Sequence, residues 1–187
     1  MSTRRIAAVL VASLVLSAPA WAELNAYMSV KAQKQGDIKG SVTQKGRDGK
    51  MMVIAVDHLM LSPTDPASGL PTGRRQHKPF VITKEIDKST PPLRSAFVNN
   101  ENLPEVKIEF WTPQLSAMTG TGQEKQNFTV TLSNARIVSV RHVMPNNKNP
   151  ELMKFAAYEE IGFAYQKISW TWNDGGITAS DDWEARF

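Results

Sequence analysis

Alternation with a period of two dominates the chain. In EVKIEFW, Val106, Ile108 and Phe110 fall on one side of an extended backbone, and Glu105, Lys107 and Glu109 fall on the other. NFTVTLS repeats this with Phe128, Val130 and Leu132 against Thr129, Thr131 and Ser133. YQKISWTW does so with Ile168, Trp170 and Trp172 against Lys167, Ser169 and Thr171. Each reads as a strand with one buried face and one solvated face. MMVIAV, residues 51–56, is apolar on both faces and is expected to be covered on both.

HKPFVITKEID, residues 77–87, reads as one further strand. Phe80, Ile82, Lys84 and Ile86 share a side, opposite His77, Val81, Thr83, Glu85 and Asp87. Lys84 interrupts an apolar face, so its ammonium must reach an acidic partner or extend to an edge. Turn-forming stretches rich in Gly, Pro, Asn and Asp separate the runs: KGRDGK (45–50), SPTDPASGLPTG (62–73), MPNNKNP (144–150) and NDGG (173–176). The 62–73 segment is long for a connector, and such loops are more often contact elements or lids. STPPLRSAFVNN predicts one short helix to about Val98, with Ser89 or Thr90 as N-cap and prolines in its first turn. Leu93 and Phe97, four residues apart, are expected to share its buried face. The fold class expected is therefore mainly β: a two-sheet antiparallel β-barrel or sandwich with one short α-helix.

Composition alters this picture at the N-terminus. MSTRR is a basic segment, IAAVLVASLVLSA is an apolar run too short to span a bilayer comfortably, and PAWA ends in a small-x-small pattern. Residues 1–22 read as a signal peptide cleaved after Ala22, leaving 23–187 as one domain in a secreted or periplasmic setting without stable membrane association. The formal charge of +4 includes Arg4 and Arg5, and the remaining Lys and Arg are interleaved with Asp and Glu, so nothing points to nucleic acid. Cysteine is absent, so the fold rests on packing alone, with neither thiolate metal sites nor redox pairs.

Candidate chemistry is sparse. His58, His77 and His142 lack the spacing of a helical zinc motif and read as hydrogen-bonded packing residues, so no metal or other cofactor is expected. GTG at 120–122 lacks the third glycine and the helix that a phosphate cradle requires. Asp181 and Asp182 point to opposite faces of a strand, so they do not share a ligand. His77 and Glu85 share a face but lie about 26 Å apart along a strand, too far for one acid–base pair. No nucleophile elbow is present, and no catalytic residue is assigned.

HKPFVITKEIDKSTPPLRSA closely resembles the strand–helix signature of the haemolysin-coregulated protein (Hcp) family, the tube proteins of type VI secretion. DIKGSV (37–42), PTDPASGLPTGRRQH (63–77), YQKISWTWNDGG (165–176) and DDWEAR (181–186) fit the same family in the same order. The resemblance implies a non-catalytic, homohexameric ring whose rings stack into the inner tube of a contractile machine. Spike and sheath proteins would be its partners, and small effectors would ride in the ring lumen. By analogy, the loop 63–73, with Pro63, Thr64 and Asp65, makes contacts between stacked rings, and Arg74 and Arg75 behind it are further interface candidates. The charged stretch carrying His77, Lys84, Glu85 and Asp87 serves ring closure or barrel support. Family members are assembled in the cytoplasm without a cleavable signal peptide. The N-terminus read here implies the alternative of a Sec-exported, Hcp-like binding protein outside the firing tube.

Overall fold

A computed structural model describes residues 24–114 and 123–184. The expected signal peptide and the GTG tip at 120–122 lie outside the described residues. In chain order the strands are β1 (Asn25–Ala32), β2 (Gly36–Ile38), β3 (Met51–Val53), β4 (Ala55–Asp57), β5 (Met60–Leu61), β6 (Gln76–His77) and β7 (Phe80–Glu85). The helix α1 (Thr90–Val98) follows, and then β8 (Leu103–Gln114), β9 (Gln123–Val143), β10 (Tyr158–Ala164), β11 (Lys167–Trp172) and β12 (Ile177–Asp182). The strand pairs are antiparallel, as expected for alternating, half-solvated strands.

β9 organises the molecule. Its first part pairs with β8 and β11, and from Arg136 onward it pairs with β10. Between the two parts Asn134 has φ +49°, a left-handed conformation that asparagine tolerates better than most side chains. Its side-chain amide donates to Gln166 Oε1 at 2.8 Å. This corner turns one hydrogen-bonded path, β2-β1-β8-β9-β10-β7-β4, into two facing layers. β3 pairs with β1 while β4 pairs with β7, so residues 51–57 reach from one layer to the other but break at Ile54. The sheets are not closed by a continuous ladder, and the architecture is a sandwich more than a barrel.

The alternating runs supply the core. Met28, Val106, Ile108, Leu132 and Ile168 from one layer meet Ile82, Ile161 and Phe163 from the other, all essentially without exposure. Two expectations change. Residues 51–56 are covered on one face only: Met51 and Val53 are buried, but Met52 is 50% and Ile54 56% exposed. Short strands where the ladder breaks have no third layer over their outer face. In α1 the buried residues are Thr90, Leu93 and Ala96, whereas Phe97 is partly exposed, so the inward face follows the three-residue spacing. The N-cap is Ser89, whose hydroxyl bonds Asp87 instead of capping the helix.

The stretch 77–87 is also not one strand. Pro79 has no N–H for a ladder, and Lys78 N donates to Leu59 O, so the extended run begins at Phe80 and ends at Glu85. Within it Lys84 takes the first of its two expected routes. It lies opposite Glu159 in the β7–β10 register, both side chains are buried, and its ammonium reaches Glu159 at 3.0 Å and Asp87 at 2.8 Å. Thr90 Oγ1 accepts from Lys84 at 3.2 Å and donates to Glu159 at 2.8 Å, fastening the start of α1 to both strands. Burial alone would raise the Asp87 carboxyl; hydrogen bonds from Lys84 and Ser89 outweigh it and bring it below its ordinary value.

The 39–50 excursion is held as firmly. Arg47 is buried, with its guanidinium 3.8 Å from the Trp111 ring centroid and paired with Glu124. Gly40 is pressed against Lys50 and Met51. A Cβ there would lie 2.6 Å from Met51 Cγ and 2.7 Å from the Lys50 carbonyl carbon. Gly40→Ala is therefore expected to cost about 1–3 kcal/mol, as overpacking does, read as a lower urea midpoint at unchanged slope.

Candidate assembly surface

Two exposed apolar features stand out on a chain whose core is otherwise well covered. The first is a groove of about 790 Å³ on the outer face of β3, β7 and β10. Leu24, Met52, Ile54, Leu152 and Phe155 supply its apolar lining, and Glu85 and Glu160 lie among them. Phe155 is 56% and Leu24 60% exposed. Contiguous exposed apolar surface of this kind is more characteristic of an interaction site than of free solvent-facing sheet.

The second is the stem and long loop built on β5 and β6. Leu59, Met60 and Leu61 are exposed on the stem, and Leu70 on the loop. Its tip is internally ordered: Thr64 bridges Pro71, Thr72 N donates to Pro63 O at 2.9 Å, and Asp65 accepts from Ala67 N at 2.7 Å. That last bond is the main reason the Asp65 carboxyl sits below its ordinary value. β5 and β6 pair with each other and not with the main sheet, so the loop stands on a separate two-stranded stem.

Side chains fasten that stem. Tyr165, at the β10–β11 turn, places its hydroxyl 2.7 Å from His58 Nε2 and 2.7 Å from His77 Nδ1. The other nitrogen of His77, Nε2, lies 3.0 Å from Asp181 Oδ2, and Asp181 also takes a bidentate bond from Arg75. The Arg75 hydrogen bond is the largest of the influences holding the Asp181 carboxyl below its usual range. Burial pushes the Tyr165 phenol well above its ordinary value, and burial, then the charge of His77, lower His58.

The residues singled out from sequence thus separate into three groups. Pro63, Thr64, Asp65 and Arg74 lie on or beside the loop tip. Arg75 and His77 lie at the stem, tied to Asp181. Glu85 faces the apolar groove, while Lys84 and Asp87 point inward to an ion cluster within the subunit, where they support the fold. The histidines, far apart in sequence, are partly reunited: the rings of His58 and His77 are 5.7 Å apart, whereas His142 instead accepts from Arg94 at 2.8 Å. Both nitrogens of His77 are engaged, so it has none left to serve a nearby hydroxyl such as Ser62. Asp181 and Asp182 serve different partners, Asp182 accepting from Glu184 N at 2.9 Å. Among the described residues no group of three His, Asp or Glu side chains is placed to hold a metal. The groove and Tyr165 were not marked by sequence reasoning. The only hint was the two-faced apolar run at 51–56, with LMKF at 152–155 beside a turn.

Residues 27–172 match the family described as "Type VI secretion system effector, Hcp". A protein named "Major exported protein" from Pseudomonas aeruginosa is 36% identical over 169 residues, spanning 86% of this chain and 95% of that protein. Among solved structures, the Hcp1 protein from the E. coli EAEC 042 pathovar superposes with a TM-score of 0.72 at 34% identity, covering 85% of this chain and 98% of that one. The secreted protein Hcp3 from Pseudomonas aeruginosa gives 0.67 at 31% identity, covering 87% and 100%.

Proposed function

Because the chain belongs to the Hcp family of type VI secretion proteins, we propose that it is a non-catalytic tube subunit: a homohexameric ring whose copies stack into an inner tube. The observation that carries this reading is the family match over residues 27–172, which spans both layers, the loop and the helix. The two exposed apolar features give it physical support. A groove on one part of a subunit and a loop on an apolar stem on another suit head-to-tail contacts, which form a ring when the rotation closes. In this reading the groove, with Glu85 at its edge, takes part in ring closure. The loop with Pro63, Thr64, Asp65 and Arg74 takes part in stacking. Spike and sheath proteins are the partners of such a tube, and small effectors its cargo.

A second reading is favoured by the N-terminal residues alone: a Sec-exported Hcp-like binding protein, cleaved after Ala22 and acting outside the firing tube. Negative-stain microscopy and size-exclusion chromatography of the purified chain are expected to show rings, and a strictly monomeric species at high concentration would overturn the first reading. N-terminal sequencing of the native protein separates the two: a chain beginning at Glu23 in the periplasm selects the second, and an intact cytoplasmic chain selects the first.

A further inference from the structure

The loop stem is joined to the body through a chain of hydrogen bonds whose proton count is limited by one phenol. Tyr165 has a single hydroxyl hydrogen and two imidazole nitrogens at 2.7 Å, so it can donate to one ring and accept from the other. With both rings neutral the chain is complete. His77 donates from Nε2 to Asp181 and accepts from Tyr165 at Nδ1, while His58 donates from Nε2 to the phenol oxygen. One added proton is also accommodated: with one ring cationic, the phenol accepts from the charged ring and donates to the neutral one. A second proton is not. Both rings would point N–H groups at Tyr165, its hydroxyl would lose its acceptor, and two cations would stand with ring centroids 5.7 Å apart.

We propose that His58, Tyr165, His77 and Asp181 form a pH-sensitive latch that holds the 59–77 stem and loop on the sheet near neutral pH and releases it in acid. The stem has no ladder to the main sheet, so this chain and the Arg75–Asp181 pair are its side-chain polar attachments. With the phenol link lost, what remains is the Arg75–Asp181 pair and ring packing, of His58 on Phe80 at 5.1 Å and of His77 on Trp183 at 5.1 Å. The charged and titratable groups around the two rings come from every neighbouring segment. Asp57 precedes His58 at the end of β4, Arg75 and Lys78 flank β6, Tyr165 faces from the β10–β11 turn, and Asp181 faces from β12, with the Asp182 carboxylate beside it turned to Glu184 N. Asp181 is shared with Arg75, so it offsets one imidazolium and not two.

The direction of the pH effect follows from His58. Burial, and next the charge of His77, hold it below the ordinary imidazole value, so the released ring binds protons more readily than the docked one. Docking is then strongest above about pH 6.5 and weakens as pH falls below it. Where release takes up one proton, each pH unit shifts the equilibrium about tenfold.

Hydrogen–deuterium exchange of the whole chain, corrected for intrinsic rates, tests this between about pH 7.5 and about pH 5, on either side of the free imidazole value. Peptides covering 59–78 are expected to lose protection by on the order of tenfold in acid, while 80–86 and 158–164 keep theirs. His58→Gln retains a hydrogen-bonding group but does not titrate, and should keep the stem protected at both ends of the range. Tyr165→Phe should leave the stem open at both. A wild-type stem indifferent to pH, a loss shared equally by the main sheet, or His58→Gln behaving as wild type would each overturn the latch. The latch does not rest on the tube reading. The exchange measurement reads the subunit itself, so a failure to form rings would leave the latch standing.

Discussion

Lys84→Met lowers the free energy of unfolding by about 3–5 kcal/mol, the cost of leaving a buried charge without its partner. The lysine side chain is 1% exposed and Glu159 is not exposed at all. Removing the ammonium leaves Glu159 with Thr90 at 2.8 Å and a longer contact from Arg94 at 3.4 Å. Lys84→Glu is worse still, because it sets three carboxylates in one buried cluster, and it should fail to fold. The double variant Lys84→Met/Glu159→Leu separates the pair from its desolvation: removing both charges should recover much of the single-variant loss. Urea denaturation at fixed protein concentration reads all three, since assembly would otherwise shift the midpoint. Equal losses in the single and double variants would sink the idea that an orphaned charge causes the damage. The cluster also sets an acid limit. Asp87 is held below its ordinary value in the fold, so its contribution is present above about pH 4 and is lost as pH falls through its lower, folded value.

The second large effect concerns assembly and leaves folding alone. Ile54→Glu and Phe155→Glu each put a charge on the floor of the apolar groove at positions more than half exposed in the subunit. Their fold should survive: the Ile54 backbone N–H still donates to Thr83 O at 2.7 Å, and neither side chain belongs to the core. If the groove meets a neighbouring copy, each substitution removes about 2 kcal/mol or more from every subunit contact, as central apolar anchors do. Repeated around a ring, that loss should convert rings to monomers in light scattering after size exclusion, with an unchanged urea midpoint for the monomer. Rings that persist in both variants would take the groove out of the ring interface.

Both effects bear on how the molecule divides its charges. Lys84 and Asp87 lie in the stretch assigned by analogy to ring closure or barrel support, and they direct their charge inside the subunit. In the proposed assembly, the surface offered to neighbours is mostly apolar, from Ile54, Phe155 and the leucines of the stem and loop, with Glu85 at the groove edge. Charge specifies the joint between strand and helix, and in that assembly apolar area is left to drive association.

What the sequence by itself determined was some of the elements and the family. Alternation marked β7, β8, the first part of β9 and β11, because a half-buried strand must place every second side chain toward the core. SerThrProPro placed α1, since the prolines are tolerated in a first turn and disfavoured further in. The apolar face broken by Lys84 required an acidic partner or a path to an edge, and alternation did not say which. Tertiary structure decided everything that depends on two distant segments meeting. Glu159 became that partner through the β7–β10 register, and Arg47 was buried because Trp111 and Glu124 come to it from β8 and β9. The two open faces of residues 51–56 could not be told apart locally, since covering one depends on whether another layer passes over it. The joining of His58, His77 and Asp181 through Tyr165 had no local signal at all. A hydrogen bond depends on positions in space, and residues 58, 77, 165 and 181 acquire theirs only when the stem folds back on the sheet.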